Sequence, residues 1–135
     1  MSPFFQMGGN IMTIQDAITR TDTLKFNTYE LADKINWLSK LDWMLKRLVI
    51  DTHEGARDNA FCGYTADTDT STELLAPAPY DEMYLRWLEA QIDLANGEID
   101  KYNASIMLFN TEYEAYENYY NRTHMPLSAG SRFLF

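Results

Sequence analysis

The chain has 135 residues, enough for one domain with a modest core, and its hydrophobic fraction of 46% sets it apart from disordered compositions. A formal net charge of −9 opposes any electrostatic grip on nucleic acid, although it suits a surface along which DNA must slide without sticking. The single cysteine, Cys62, excludes an internal disulfide and fits a reducing compartment, and the absence of a long apolar run or a cationic-then-apolar leader points to a soluble chain, intracellular at synthesis.

Residues 1–11 are expected to be a mobile N-terminal extension, with Met12 as an alternative start. Thr13 followed by Ile14-Gln15-Asp16 is a helix opening with Thr13 as N-cap. The spacing predicts a short helix to about Thr21 that buries Ile14, Ala17 and Ile18. A second helix is expected from Asn27 or Thr28, where Asn27 and Glu30 have capping-box spacing. Leu31, Ile35, Leu38, Leu41, Leu45 and Leu48 recur at helical intervals, and Lys46 and Arg47 favour the helix dipole in the last turns. This helix should end between Ile50 and His53, ahead of Gly55.

Residues 55–79 change character and read as a hairpin or ordered loop. Phe61–Thr65 and Glu73–Leu75 are candidate strands about a turn at Asp67–Ser71, and Pro77 and Pro79 forbid helix in the spacer that follows. A third helix starts near Tyr80 and runs to about Thr123. It carries two apolar stripes. The first is Leu85, Leu88, Ile92, Ala95, Ile99, Tyr102, Ile106, Phe109, Tyr113, Tyr116 and Tyr120; the second is Trp87, Ala90, Leu94, Gly97, Lys101, Ala104, Leu108, Thr111 and Ala115. Asn96-Gly97 is a turn dipeptide that would permit a helical hairpin. Both stripes keep phase across it, which favours a continuous helix with Gly97 as a point of close approach. One face docks on the chain's own domain and the second awaits another cover, such as a further copy. Tyr113, Tyr116, Tyr119 and Tyr120 suit either a half-wet binding surface or the thick end of the core. Residues 126–135 form a tail ending in Arg132, Phe133, Leu134 and Phe135.

Candidate chemistry is sparse. Asp51, His53 and Glu54 have ligand-type side chains but lack a second Cys/His group, so a solvated helix end is the better reading. Asp67, Asp69, Ser71 and Glu73 open like a calcium loop, yet Thr72 and Ala78 stand where that loop needs glycine and glutamate. Cys62 has no neighbouring base in sequence. No catalytic residues, no metal site and no cofactor are assigned.

Several phrases carry a resemblance: Leu48-Val-Ile-Asp-Thr-His-Glu-Gly55, Leu74-Leu-Ala-Pro-Ala-Pro-Tyr-Asp-Glu82, Trp87-Leu-Glu-Ala-Gln-Ile-Asp-Leu-Ala-Asn-Gly-Glu98 and Tyr119-Tyr-Asn-Arg-Thr-His-Met-Pro126, with Lys101-Tyr-Asn and Leu108-Phe-Asn between them. Over about residues 12–126 the chain resembles the small head–tail connector (adaptor, neck) proteins of tailed bacteriophages and prophages. The resemblance implies an all-α fold: a short N-terminal helix plus two long antiparallel helices joined by the hairpin-like loop, in a ring-forming helical bundle spanning 12–125. It further implies a non-enzymatic virion structural protein, made in the host cytoplasm, that assembles as a ring on the portal. There it would extend the DNA channel without specific DNA binding and join a downstream neck or tail protein, with no membrane involved. On this reading Trp87, Ala90, Leu94, Gly97, Ala104 and Leu108 lie between neighbouring copies, and Arg132, Phe133, Leu134 and Phe135 dock on the portal. The alternative is a self-oligomerising helical interaction module of bacterial or prophage origin. A small metal-dependent enzyme using Asp51, His53 and Glu54 is a weaker third.

Overall fold

The computed structural model describes residues 11–54 and 61–127, and these are mostly helical. In chain order the helices are α1 (Ile14–Leu24), α2 (Leu31–Leu48), α3 (Glu82–Ala95) and α4 (Ile99–Thr123), with a 3₁₀ turn at Ile50–Thr52.

Thr13 caps α1 as its sequence implies. Its Oγ1 accepts from Asp16 N at 3.1 Å while Thr13 N donates back to Asp16 Oδ2 at 3.2 Å, satisfying two otherwise orphaned donors. Ile14, Ala17, Ile18 and Thr21 are buried, and the helix runs three residues beyond the expected end. α2 opens later than expected. Asn27 Oδ1 accepts from Tyr29 N at 3.1 Å, which bends the chain into a local turn rather than capping a helix, and Glu30 takes the N-cap position without a side-chain bond. Ile35, Leu38, Leu41 and Leu45 are fully buried along the stripe read from the sequence. Lys46 and Arg47 occupy the last turn, and Val49 passes the chain into the 3₁₀ turn.

The continuous third helix is not observed. Helix α3 stops at Ala95, Gly97 takes φ +78°, and α4 starts at Ile99 with Glu98 as its N-cap. Gly97 is therefore a turn residue, used for a left-handed conformation that L side chains adopt only at a cost. A Cβ placed there would meet nothing within 4 Å, so close helix approach is not its role. The two helices fold back on each other as an antiparallel hairpin. Tyr80 stacks on Tyr119 near one end, Trp87 meets Phe109 midway, and Ser105 donates to Asp93 near the turn.

Helix α3 is the central element, packed by α4 on one side and by α1 and α2 on others. Met83, Tyr84, Leu85, Leu88, Ala90 and Ile92 are buried as a result. Each buried Leu or Ile contributes about 1.5–3 kcal/mol relative to exposure.

The expected strands at Phe61–Thr65 and Glu73–Leu75 do not pair with each other, and no strand occurs among the described residues. Segment 61–81 is an ordered loop instead. Glu73 forms an isolated antiparallel bridge with Thr13, where Ile14 N donates to Thr72 O at 3.0 Å and Leu74 N donates to Met12 O at 2.9 Å. Pro126 bridges His53 similarly, through Glu54 N to Met125 O and Leu127 N to Thr52 O. The described start of the C-terminal tail thus lies beside the end of α2.

Candidate functional surface and buried polar centres

The two stripes fare differently once the hairpin forms. On α3 both are covered as far as Ile92: Leu85, Leu88 and Ile92 from the first, Ala90 from the second, with Trp87 half-buried and its Nε1 donating to Trp37 O at 2.7 Å, whereas Leu94 and Ala95 in the last turn are exposed. Up to Ala90 the second apolar face of α3 therefore needs no second copy, because Trp87 meets Trp37 of α2 and Phe109 of α4 within the subunit. On α4 the first stripe packs inward through Phe109 and Tyr116, whereas Lys101, Ala104, Leu108, Thr111 and Ala115 of the second are exposed. Met107 joins them at 68% exposure and Leu108 stands at 50%. Of the six residues expected between copies, Trp87 and Ala90 belong to the subunit's own packing. Leu94, Ala104 and Leu108 are open to solvent, and Gly97 sits at the exposed hairpin tip. Arg132, Phe133, Leu134 and Phe135 lie outside the described residues.

Two buried carboxylates, neither singled out by the sequence, tie the helices together. Asp42 of α2 has no solvent exposure. Its Oδ1 accepts from Tyr84 Oη at 2.6 Å and its Oδ2 from Tyr64 Oη at 2.5 Å and Leu75 N at 3.1 Å. Tyr84 Oη in turn accepts from Ala76 N at 2.8 Å, and Ser39 Oγ accepts from Tyr64 N at 3.0 Å. One carboxylate thereby fastens the 61–76 loop and α3 onto α2. Burial pushes the Asp42 carboxyl up to about 6, against the opposing pull of its three donors. Burial raises the Tyr64 and Tyr84 phenols as well, and the neighbouring Asp42 charge adds to it.

Asp93, near the end of α3, is also fully buried. Ser105 Oγ of α4 donates to its Oδ2 at 2.9 Å, and the Lys25 ammonium lies 2.9 Å from its Oδ1. Oδ1 has no well-directed hydrogen bond, so the cation's charge is its principal compensation. This ion pair holds the α1–α2 connector against the hairpin.

The remaining candidates resolve into local structure. His53 is 3% exposed and both its ring nitrogens are engaged. Nδ1 donates to Val49 O at 2.6 Å, and Nε2 pairs with the Asn121 side-chain amide at 2.8 Å. It joins the end of α2 to the end of α4, edge-on to Tyr120, which stacks flat on His124. No group of three His, Cys, Asp or Glu side chains converges among the described residues in a way that would hold a metal ion. The tyrosine cluster belongs to the thick end of the core: Tyr116 is buried, and Tyr113, Tyr119 and Tyr120 pack around it against Tyr80 and Phe109. Asp69 closes a turn by accepting from Ser71 N and Ser71 Oγ, each at 2.9 Å, and these bonds hold its carboxyl below the usual range. Cys62 is exposed.

No family model, no curated protein and no solved structure matches this chain. Among the described residues, no helix is long and apolar enough to cross a membrane.

Proposed function

We propose that the chain is a virion structural protein, a head–tail connector that assembles as a ring on the portal, extends the DNA channel and joins it to a neck or tail protein. The sequence phrases across residues 12–126 supply the class. The observation on the molecule that supports it most is the open second face of α4. Ala104, Met107, Leu108, Thr111 and Ala115 line roughly 16 Å of helix with small and apolar side chains, while the opposite face closes the subunit core.

In this reading a neighbour's surface covers that face. Individual contacts between copies are weak and become productive by avidity on a preformed portal ring. The net charge of −9 keeps DNA moving past the ring rather than bound to it. Arg132, Phe133, Leu134 and Phe135 face the portal.

Electron microscopy of the purified chain mixed with its cognate portal, beside its mass in solution, tests the proposal. A monomer that forms a ring only on the portal is the expected result. A closed small oligomer that ignores the portal would replace it with the self-oligomerising interaction module.

A further inference from the structure

Apolar side chains from two stretches of the chain, residues 24–31 and 94–99, meet solvent at the α3–α4 turn end of the molecule. Leu24 closes α1 at 61% exposure, Phe26 follows in the connector at 87%, and Leu31 opens α2 at 45%. Leu94 and Ile99 flank the hairpin turn at 45% and 53%. Single exposed apolar residues are ordinary, but a group of five gathered from distant positions is not.

Their gathering is fixed by polar contacts. Lys25 turns inward to the buried Asp93, and in an extended stretch this directs Phe26, the next residue, outward. Tyr29 Oη donates to Asn96 Oδ1 at 2.5 Å, fastening the connector to the last turn of α3. The surrounding charge is one-sided. Residues 22–34 and 93–101 carry Asp22, Glu30, Asp33, Asp93, Glu98 and Asp100 against Lys25, Lys34 and Lys101. All three cations are engaged: Lys25 with Asp93, Lys34 with Asp22 and Lys101 with Glu98. Glu30, Asp33 and Asp100 are exposed and have no ion-pair partner among the described residues.

We infer that this end docks a protein segment with apolar side chains set among lysines or arginines. Its apolar residues would cover Phe26, Leu31 and Leu94, and its cations would meet Glu30, Asp33 and Asp100. A second copy is a poor occupant, because it would bring the same uncompensated carboxylates against themselves. An anionic membrane is a poor one for the same reason. The inference is independent of the portal reading and concerns a different face from that of α4.

The test uses the full chain, isotope-labelled, titrated with a helical peptide of alternating leucine and lysine rows and with its leucine–glutamate counterpart. The lysine peptide should shift the backbone amides of Leu24, Phe26, Leu31, Leu94 and Ile99, weaken with added salt, and leave the glutamate peptide without effect. Phe26→Ser should weaken binding by about tenfold, as should the pair Asp33→Lys and Asp100→Lys. The amide spectrum should show each variant folded. Equal binding of both peptides, shifts confined to α4, no binding at all, or preferential binding through these residues to vesicles of phosphatidylcholine and phosphatidylglycerol would each overturn the inference.

Discussion

Asp42 of α2 accepts a hydrogen bond from Tyr84 of α3 at 2.6 Å in a place where neither side chain meets water. The bond crosses 42 positions of sequence and is one of three that converge on this carboxylate. Removing the acceptor leaves two phenols and the Leu75 N–H without a partner, each costing about 1–3 kcal/mol. Asp42→Ala should therefore destabilise the chain by at least about 3 kcal/mol in urea denaturation. A loss below about 1 kcal/mol would mean that the centre is not a structural tie.

The same carboxyl carries a pH signature. Its folded value of about 6 lies above its ordinary 3.8, so the folded state binds the proton more tightly than the unfolded chain does. Asp42's contribution to stability therefore increases as pH falls from about 7 towards 4 and is lost as pH rises through 6. A shift of about two units at 1.36 kcal/mol each amounts to roughly 3 kcal/mol. Other carboxylates titrate in this range, so the difference between wild type and Asp42→Asn isolates the effect. That difference should widen in favour of wild type at acid pH; a gap constant from pH 7 to pH 4 would refute the assignment. At the alkaline end the raised Tyr64 and Tyr84 phenols act in the same direction, stability falling once pH exceeds the ordinary value of 10.

Gly97 is the residue on which the topology turns. At φ +78° a β-carbon is strained whatever space surrounds it, and here the space is open. Gly97→Ala should cost about 1–2 kcal/mol, and Gly97→Asn less, because asparagine tolerates the left-handed region. Urea midpoints of the two variants give the ordering directly. Equal loss for both would argue that the turn is held by something other than this backbone angle.

Much of the helical framework was legible because local rules decide it. Thr13 and Asp16 cap α1 at the expected place, and the α2 stripe from Ile35 to Leu45 is buried as its period requires. The break after Ala95 was obscured because helical phase does not distinguish a continuous helix from a hairpin. Each arm keeps its own period, and the three-residue turn at 96–98 advances the pattern by nearly one helical turn. Only the dipeptide Asn96-Gly97 recorded the break, against the continuity of both stripes. Asp42 and Asp93 were invisible for another reason. Their donors, Tyr64, Tyr84, Ser105 and Lys25, come from distant elements, and no spacing rule joins them.

Lys25 and Asp93 form a pair whose loss is asymmetric. Asp93 is fully buried, while Lys25 keeps contact with solvent. Lys25→Met leaves a carboxylate enclosed beside Ser105 with no cation, a situation that costs about 3–5 kcal/mol when the group stays charged. Lys25→Met combined with Asp93→Asn should recover part of that loss, since the amide can still accept from Ser105. A double-variant cycle by thermal denaturation measures the coupling. If the single and double variants are equally unstable, the connector is held by Tyr29 and Asn96 rather than by charge.

Trp87 and Leu108 separate folding from assembly. Both belong to one stripe in the sequence, but Trp87 packs on Phe109 and bonds Trp37 O, whereas Leu108 is half-exposed on α4. Trp87→Ala removes a large ring from the subunit's own core and should destabilise the isolated chain by about 3 kcal/mol. Leu108→Ser should stay within about 0.5 kcal/mol of wild type, because the side chain has little buried area to lose. If α4's open face meets a neighbouring copy, Leu108→Ser, alone or with Ala104→Glu, should leave a folded monomer that fails to build a ring on the portal. Rings of normal occupancy from that double variant, seen by electron microscopy, would remove α4 from the interface and require the copies to meet elsewhere.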